Sequence, residues 1–152
     1  MSTYTLHNLD DSKTFAQKLG ALLMPGDVVL FKGDLGAGKS TLIRALIQSL
    51  CGETTDVPSP SFTLVQTYEA PSFEIWHFDF YRLEDPEEIF ELGIEEAFQS
   101  GVSLIEWPER LGSLTPKNHL LIEITQGLND AERYLTISPT DLWYARANAL
   151  IS

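Results

Sequence analysis

Residues 33–41 read Gly33-Asp34-Leu35-Gly36-Ala37-Gly38-Lys39-Ser40-Thr41. They match G-x-x-x-x-G-K-[ST] at every specified position, the spacing of a phosphate-cradling P-loop. Such a loop works where a buried strand ends and a helix begins, so it restricts the fold on both sides. Val28-Val29-Leu30-Phe31 before it is a short apolar, β-rich run. From Thr41 to Leu50 after it, Leu42, Ile43, Leu46, Ile47 and Leu50 recur at helical spacing, and Cys51-Gly52 puts a glycine just past the end. Gly33, Gly36 and Gly38 remove side chains, so that backbone N–H groups can crowd an anion. The helix adds its unpaired N–H groups and the positive end of its dipole. Lys39 would reach the β- and γ-phosphates as a point charge. Ser40 would offer its hydroxyl to Mg²⁺, with Thr41 one position deeper.

A chain of 152 residues can bury one core, and a single domain over 1–152 is expected. No apolar run is long enough to span a bilayer, and Met1-Ser2-Thr3-Tyr4 lacks signal-peptide character, so the expected location is the cytoplasm, with no membrane partner. The single cysteine, Cys51, excludes an internal disulfide framework and a cysteine-based zinc site. Asp and Glu number 22 against 10 Lys and Arg, a net charge of −12. Tight direct binding of RNA or DNA needs cations that displace counterions, and this balance argues against it. A basic protein partner fits better.

Along the chain, Tyr4-Thr5-Leu6 reads as a short edge strand. Asp11 or Ser12 is the expected cap of a helix with Phe15, Leu19, Leu22 and Leu23 on one face, ended by Met24-Pro25-Gly26-Asp27. The loop leading into that helix, near Asp10, can lie beside a bound base. Residues 53–61 hold two prolines and several hydroxyls and form an irregular loop. That loop is either a plain surface connection or a switch in which Thr63 senses the γ-phosphate and Mg²⁺. Residues 62–69 and 73–80 make an expected antiparallel hairpin, which ends in His77-Phe78-Asp79-Phe80-Tyr81-Arg82. Asp79 can reach a metal or its water from there, or else pairs with Arg82 or caps a turn. His77 is read as structural, because no second His or Cys stands at metal-ligand spacing. Asp85-Pro86-Glu87-Glu88 starts a helix that Leu92-Gly93 stops, and residues 94–98 give a second short piece.

Val102-Ser103-Leu104-Ile105-Glu106-Trp107-Pro108 is the second informative stretch. It is an apolar strand finishing in one carboxylate, the form of a Walker B strand whose acid holds Mg²⁺ directly or through water. Trp107 either stacks on a base or a partner, or fills the core. Residues 119–125 and 132–138 are two further β-type runs around Gly127-Leu128-Asn129-Asp130. Arg133, just past that turn, can approach the nucleotide or sit in a surface ion pair. Ser138-Pro139-Thr140-Asp141 is the expected cap of a final helix reaching about Ile151.

Taken in order, residues 33–41, Ser59-Pro60-Ser61-Phe62-Thr63-Leu64-Val65, His77-Phe78-Asp79-Phe80-Tyr81-Arg82-Leu83, Leu92-Gly93-Ile94 and Ile105-Glu106-Trp107-Pro108 resemble the TsaE family over nearly the full chain. These are small bacterial P-loop ATPases of tRNA threonylcarbamoyladenosine synthesis. The resemblance implies an α/β P-loop NTPase fold, with a mainly parallel central sheet, an antiparallel hairpin and flanking helices. It implies that ATP hydrolysis supports a complex with TsaD and TsaB, in which TsaD transfers a threonylcarbamoyl group to the adenosine beside the tRNA anticodon. The TsaE-like chain resets that complex between turnovers and meets tRNA only through it. By position, Gly36, Ala37, Gly38, Lys39, Ser40 and Thr41 hold ATP, with Asp10, Trp107 and Arg133 also at the nucleotide. Ser40 and Glu106 bind Mg²⁺, while Lys39, Asp79 and Glu106 carry catalysis. Thr63 and Asp79 belong to switch-like segments. Ser40 stands where threonine is commoner and keeps the hydroxyl; Ser61 replaces threonine and Pro58 replaces lysine.

No arginine finger is evident, so turnover by the isolated chain is expected to be slow. A small-molecule kinase on the same loop would need an acceptor pocket and an arginine-bearing lid. A GTPase would need Asn-Lys-x-Asp, which the chain lacks. A nucleotide sensor without useful hydrolysis would release no phosphate on adding TsaD and TsaB.

Overall fold

The computed structural model describes residues 2–151; the side chains of Asp141 and Ile151 are outside it. The strands are β1 (Ser2–Leu6), β2 (Val28–Lys32), β3 (Val65–Glu69), β4 (Glu74–Asp79), β5 (Val102–Glu106), β6 (Leu120–Gln126) and β7 (Arg133–Pro139). The helices are α1 (Leu9–Leu22), α2 (Lys39–Cys51), α3 (Glu88–Glu91), α4 (Ile94–Ser100) and α5 (Asp141–Ile151), with 3₁₀ turns over Pro108–Leu114 that kink at Gly112. The strands form one sheet in the order β1-β7-β6-β2-β5-β4-β3. Its four central strands, β6-β2-β5-β4, run parallel. Antiparallel pairing closes both sides: β3 on β4, and β7 between β6 and β1. The sequence predicts the β3–β4 hairpin; β6 and β7 make a second one on the other side of β2 and β5.

The two innermost strands, β2 and β5, are buried on both faces, which is why their sequences are nearly continuous apolar runs rather than alternating ones. Val29, Phe31 and Leu104 face a core built with Phe15 and Leu19 of α1, Ile43 and Leu46 of α2, and Trp143 of α5. Val28, Leu30 and Ile105 face a second core with Phe78, Phe80, Ile89, Ile94 and Leu111. A glycine at 33 lets β2 pass close to β6: a Cβ there would lie 2.7 Å from the Ile124 carbonyl oxygen. No helix among the described residues is long and apolar enough to cross a membrane.

Helix ends differ from expectation in four places. The cap of α1 is Asn8, not Asp11 or Ser12: the Asn8 side chain accepts the Asp11 N–H at 2.9 Å, and Asp11 in turn accepts the His7 N–H at 2.8 Å. The cap thus stands about one turn earlier than the expected Asp11 or Ser12, and Asp11 ties the residue before it to the helix. Helix α2 starts at Lys39 rather than Thr41, directly from Gly38. Asp85 organises the turn before α3 by accepting the Glu87 N–H, and the helix itself begins at Glu88. The Thr140 hydroxyl bonds the backbone of His119, tying α5's start to β6, while Asp141's side chain lies outside the described residues.

Candidate functional site

The carboxyl ends of β2, β4 and β5 and the first turn of α2 surround an open cleft of about 290 Å³. Parallel α/β sheets place their ligand sites at this edge, where strands deliver side chains in register and helices present free N–H groups. Of the residues expected at the nucleotide, Gly36, Gly38, Lys39, Ser40, Thr41, Asp79, Glu106, Trp107 and Arg133 all line the cleft. Ala37 is buried beneath the loop. Asp10 is exposed on the first turn of α1 and is not part of the lining. Asn8, Leu9 and Ser12 instead form one wall of a neighbouring recess of about 220 Å³, whose opposite wall is Gly38, Thr41 and Arg133. The cap assignment explains the shift: with α1 starting at Leu9, Asp10 turns outward and Asn8 faces the loop.

Gly38 takes a left-handed conformation, φ 106°, and supplies no side-chain cap to α2. Only glycine adopts that φ without strain, and the missing cap leaves the first N–H groups of α2 free for an anion. The Lys39 side chain folds back over the loop. Its Nζ donates to the Gly33 carbonyl and, at 3.3 Å, to that of Asp34, and lies 3.9 Å from the centre of the Trp107 ring. Burial pushes the ammonium's pKa down; Glu106, Glu109, Asp79 and Asp34 pull it back up. Trp107 sits between β5 and the 3₁₀ turns with φ 59°, unusual for a residue with a side chain, and packs against Tyr81. It lines the cleft and does not line the recess beside α1. Arg133 lies over the loop from the other side: its Nε donates to the Ala37 carbonyl at 2.9 Å, and its Nη1 donates to those of Asp130 and Glu132.

Two acids stand side by side on adjacent strands, because β4 and β5 pair in parallel with Asp79 opposite Glu106. Glu106 is 2 % exposed, and its Oε1 accepts the Ser40 hydroxyl at 3.1 Å. The sequence reading brought these two together only by motif; the structure brings them within hydrogen-bond distance. Oε2 of Glu106 meets Nε2 of His77 at 2.7 Å, a contact that sequence reasoning missed when it treated His77 as structural. The available signal was parity: His77 and Asp79 are two apart on one strand and must share a face. Asp79 does not pair with Arg82, which lies over the Phe62 ring. It accepts the Tyr81 N–H at 3.0 Å and the Ser61 hydroxyl at 3.3 Å, and Ser61 is bonded to Ser59. Thr63, the expected sensing hydroxyl, is exposed, bonded to Gln66 and absent from the lining; Ser59 and Ser61 occupy the cleft in its place. Leu64, where this loop enters β3, has φ 69°, a strained conformation that turns Thr63 outward.

The description Threonylcarbamoyl adenosine biosynthesis protein TsaE belongs to a family model that matches residues 6–135. The chain belongs to the TsaE family. A Rickettsia bellii TsaE is 45% identical over 130 residues, covering 86% of this chain and 89% of the relative. A Bacillus subtilis TsaE is 37% identical over 132 residues, covering 86% and 81%. The crystal structure of Bacillus subtilis YdiB superimposes with a TM-score of 0.77 at 27% identity, covering 99% of this chain and 93% of that one. The TsaE match includes the loop, both acids and Arg133.

Asp79 gives this TsaE site a measurable cost. Burial is the main cause that raises its carboxyl pKa above the ordinary 3.8, helped by the neighbouring Glu106 and opposed by the Tyr81 N–H. A raised acid binds its proton more tightly folded than unfolded, so stability is lost as pH climbs from 3.8 through the higher folded value. Asp79→Asn removes that cost and can keep the Tyr81 contact through Oδ1. At pH 7 in EDTA it should raise the melting temperature by about 2–4 °C, what roughly 1 kcal/mol gives at this size. The gap to the parent should close as pH falls toward 3.8. An unchanged or lower melting temperature at pH 7 would contradict the desolvation argument.

Proposed function

We propose that this chain binds ATP with Mg²⁺ on residues 33–41 and hydrolyses it slowly, in support of tRNA threonylcarbamoyladenosine modification by TsaD and TsaB. Membership of the TsaE family supports a role in tRNA threonylcarbamoyladenosine biosynthesis. The observation that carries the nucleotide reading is the Ser40–Glu106 pair at 3.1 Å, set at the mouth of a loop whose helix has no side-chain cap. A hydroxyl and a carboxylate converging beside free N–H groups suit Mg²⁺, which takes few protein ligands and fills its shell with water and phosphate oxygens. Among the described residues no group of three or more His, Cys, Asp and Glu is placed to hold a metal alone. When bound, Mg²⁺ would offset charge developing on the transferred phosphate.

The chain's own residues divide the remaining work. Lys39 exchanges its carbonyl partners for phosphate oxygens. Ser40 and Glu106 hold the metal, and Asp79 or Glu106 accepts a hydrogen bond from the attacking water. Arg133 adds positive charge beside Gly38. The adenine enters the recess walled by Leu6, Asn8 and Leu9. Loss of the γ-phosphate lets residues 53–63 relax, which changes affinity for TsaD and TsaB. The net charge of −12 keeps tRNA contact indirect.

Phosphate release from ATP, with and without TsaD–TsaB, tests this. Release should be slow alone, faster with the complex, and at least about 100-fold lower in EDTA. Multiple rounds of tRNA modification should require this chain and ATP. Release that is indifferent to EDTA, or repeated modification without the chain, would overturn the proposal.

A further inference from the structure

We infer that His77 is the positioning residue of the site: it holds the Glu106 carboxylate in place while Ser40 turns to the metal. The inference rests on the proposed role of Glu106 at Mg²⁺. Strands β4 and β5 set His77 opposite Leu104, two pairs behind the Asp79–Glu106 pair and therefore on the same face. The imidazole therefore reaches forward to Glu106, Nε2 to Oε2 at 2.7 Å, with both side chains 3 % exposed or less. The two carboxylate oxygens have separate partners, His77 on Oε2 and Ser40 on Oε1. A metal that takes the Ser40 hydroxyl removes one of these contacts. The His77 contact is the one that persists, and it alone then fixes the direction of Oε1.

The ring's other nitrogen supports the same conclusion. Nδ1 is buried and has no hydrogen-bond partner. An unpaired buried polar atom is a cost, so packing alone gives no reason for an imidazole at this position. A carboxylate oxygen accepts, so the ring donates through Nε2–H and leaves Nδ1 as the unpaired acceptor. Groups that stand behind metal ligands orient them in this way, and their loss typically weakens metal affinity or activity about 10–100-fold.

Three measurements test the inference. In the nucleotide-free protein, long-range ¹H–¹⁵N correlation of the His77 ring should show the Nε2–H tautomer; an Nδ1–H tautomer would overturn the assignment. Binding of adenylyl imidodiphosphate with Mg²⁺ and with EDTA gives the gain in affinity due to the metal. His77→Leu should cut that gain about 10–100-fold while binding in EDTA stays within about twofold of the parent. His77→Gln, whose amide N–H can occupy the Nε2 position, should restore the gain to within about threefold. A parent-like gain in the leucine variant, even with a lower melting temperature, would show that His77 only packs. Equal losses in the leucine and glutamine variants would remove its donor role. If the leucine variant does not fold, the tautomer and the glutamine variant decide. If the parent shows no metal-dependent gain, the reading of Glu106 falls first, a different failure from any loss confined to His77 variants.

Discussion

Lys39→Ala is expected to lower phosphate release from ATP at least about 100-fold, with circular dichroism unchanged. The magnitude is that of removing one preorganised donor from a developing anion. Lys39 is 5 % exposed and held by two loop carbonyls and the Trp107 ring, so its ammonium waits a short movement from the space above the loop. Those carbonyls are weaker partners for a cation than phosphate oxygens, and a triphosphate would draw the ammonium across. Lys39→Arg should not rescue the loss. A planar guanidinium needs a fork-shaped partner and more width than the gap between Trp107 and the Gly33 carbonyl provides. Hydrolysis within about threefold of the parent in the alanine variant would remove Lys39 from the chemistry.

Glu106→Gln should lower hydrolysis about 100-fold and flatten its dependence on Mg²⁺ concentration. The replacement has nearly the same shape, so lost volume cannot explain the effect. The carboxylate accepts on both sides, from the Ser40 hydroxyl and from the His77 ring. An amide offers one oxygen and one NH₂, so one side now presents a donor, and the group's negative charge at the metal is gone. Steady-state rates titrated with Mg²⁺ at saturating ATP measure both effects. A variant that keeps the parent's rate and Mg²⁺ dependence would place the metal-facing acid elsewhere, with Asp79 the next group to examine.

The parts of this site that the sequence discloses are those whose chemistry is written locally. Gly33 to Ser40 must be contiguous because one loop wraps one phosphate tail, and the apolar runs beside it declare their strand and helix by period alone. Glu106 is legible because a strand of four apolar or small residues ends in it. His77 was not legible as a partner of Glu106, because that contact depends on which strand neighbours β5 and in what register, and neither is encoded in a single run. Ser61 displaced Thr63 for a related reason. Two prolines and a left-handed Leu64 set the path of the loop, and a two-residue shift exchanges an inward hydroxyl for an outward one. The Asn8 cap could have been read, since Asn8 and Asp11 stand three apart as a capping pair does; choosing the later residue moved Asp10 into a site it does not reach. Arg133 stands 96 residues from Ala37 in the chain, so only the fold brings it to the Ala37 carbonyl.

A crystal structure with Mg²⁺ and adenylyl imidodiphosphate tests whether residues 33–41 grip a triphosphate. The expected density puts the β- and γ-phosphates against the N–H groups of Gly36 to Thr41, Lys39 Nζ turned from the Gly33 carbonyl onto phosphate oxygen, and the metal beside Ser40 and Glu106. A triphosphate bound elsewhere, or one bound here with Lys39 still on the Gly33 carbonyl and no metal at Ser40, would contradict the assignment.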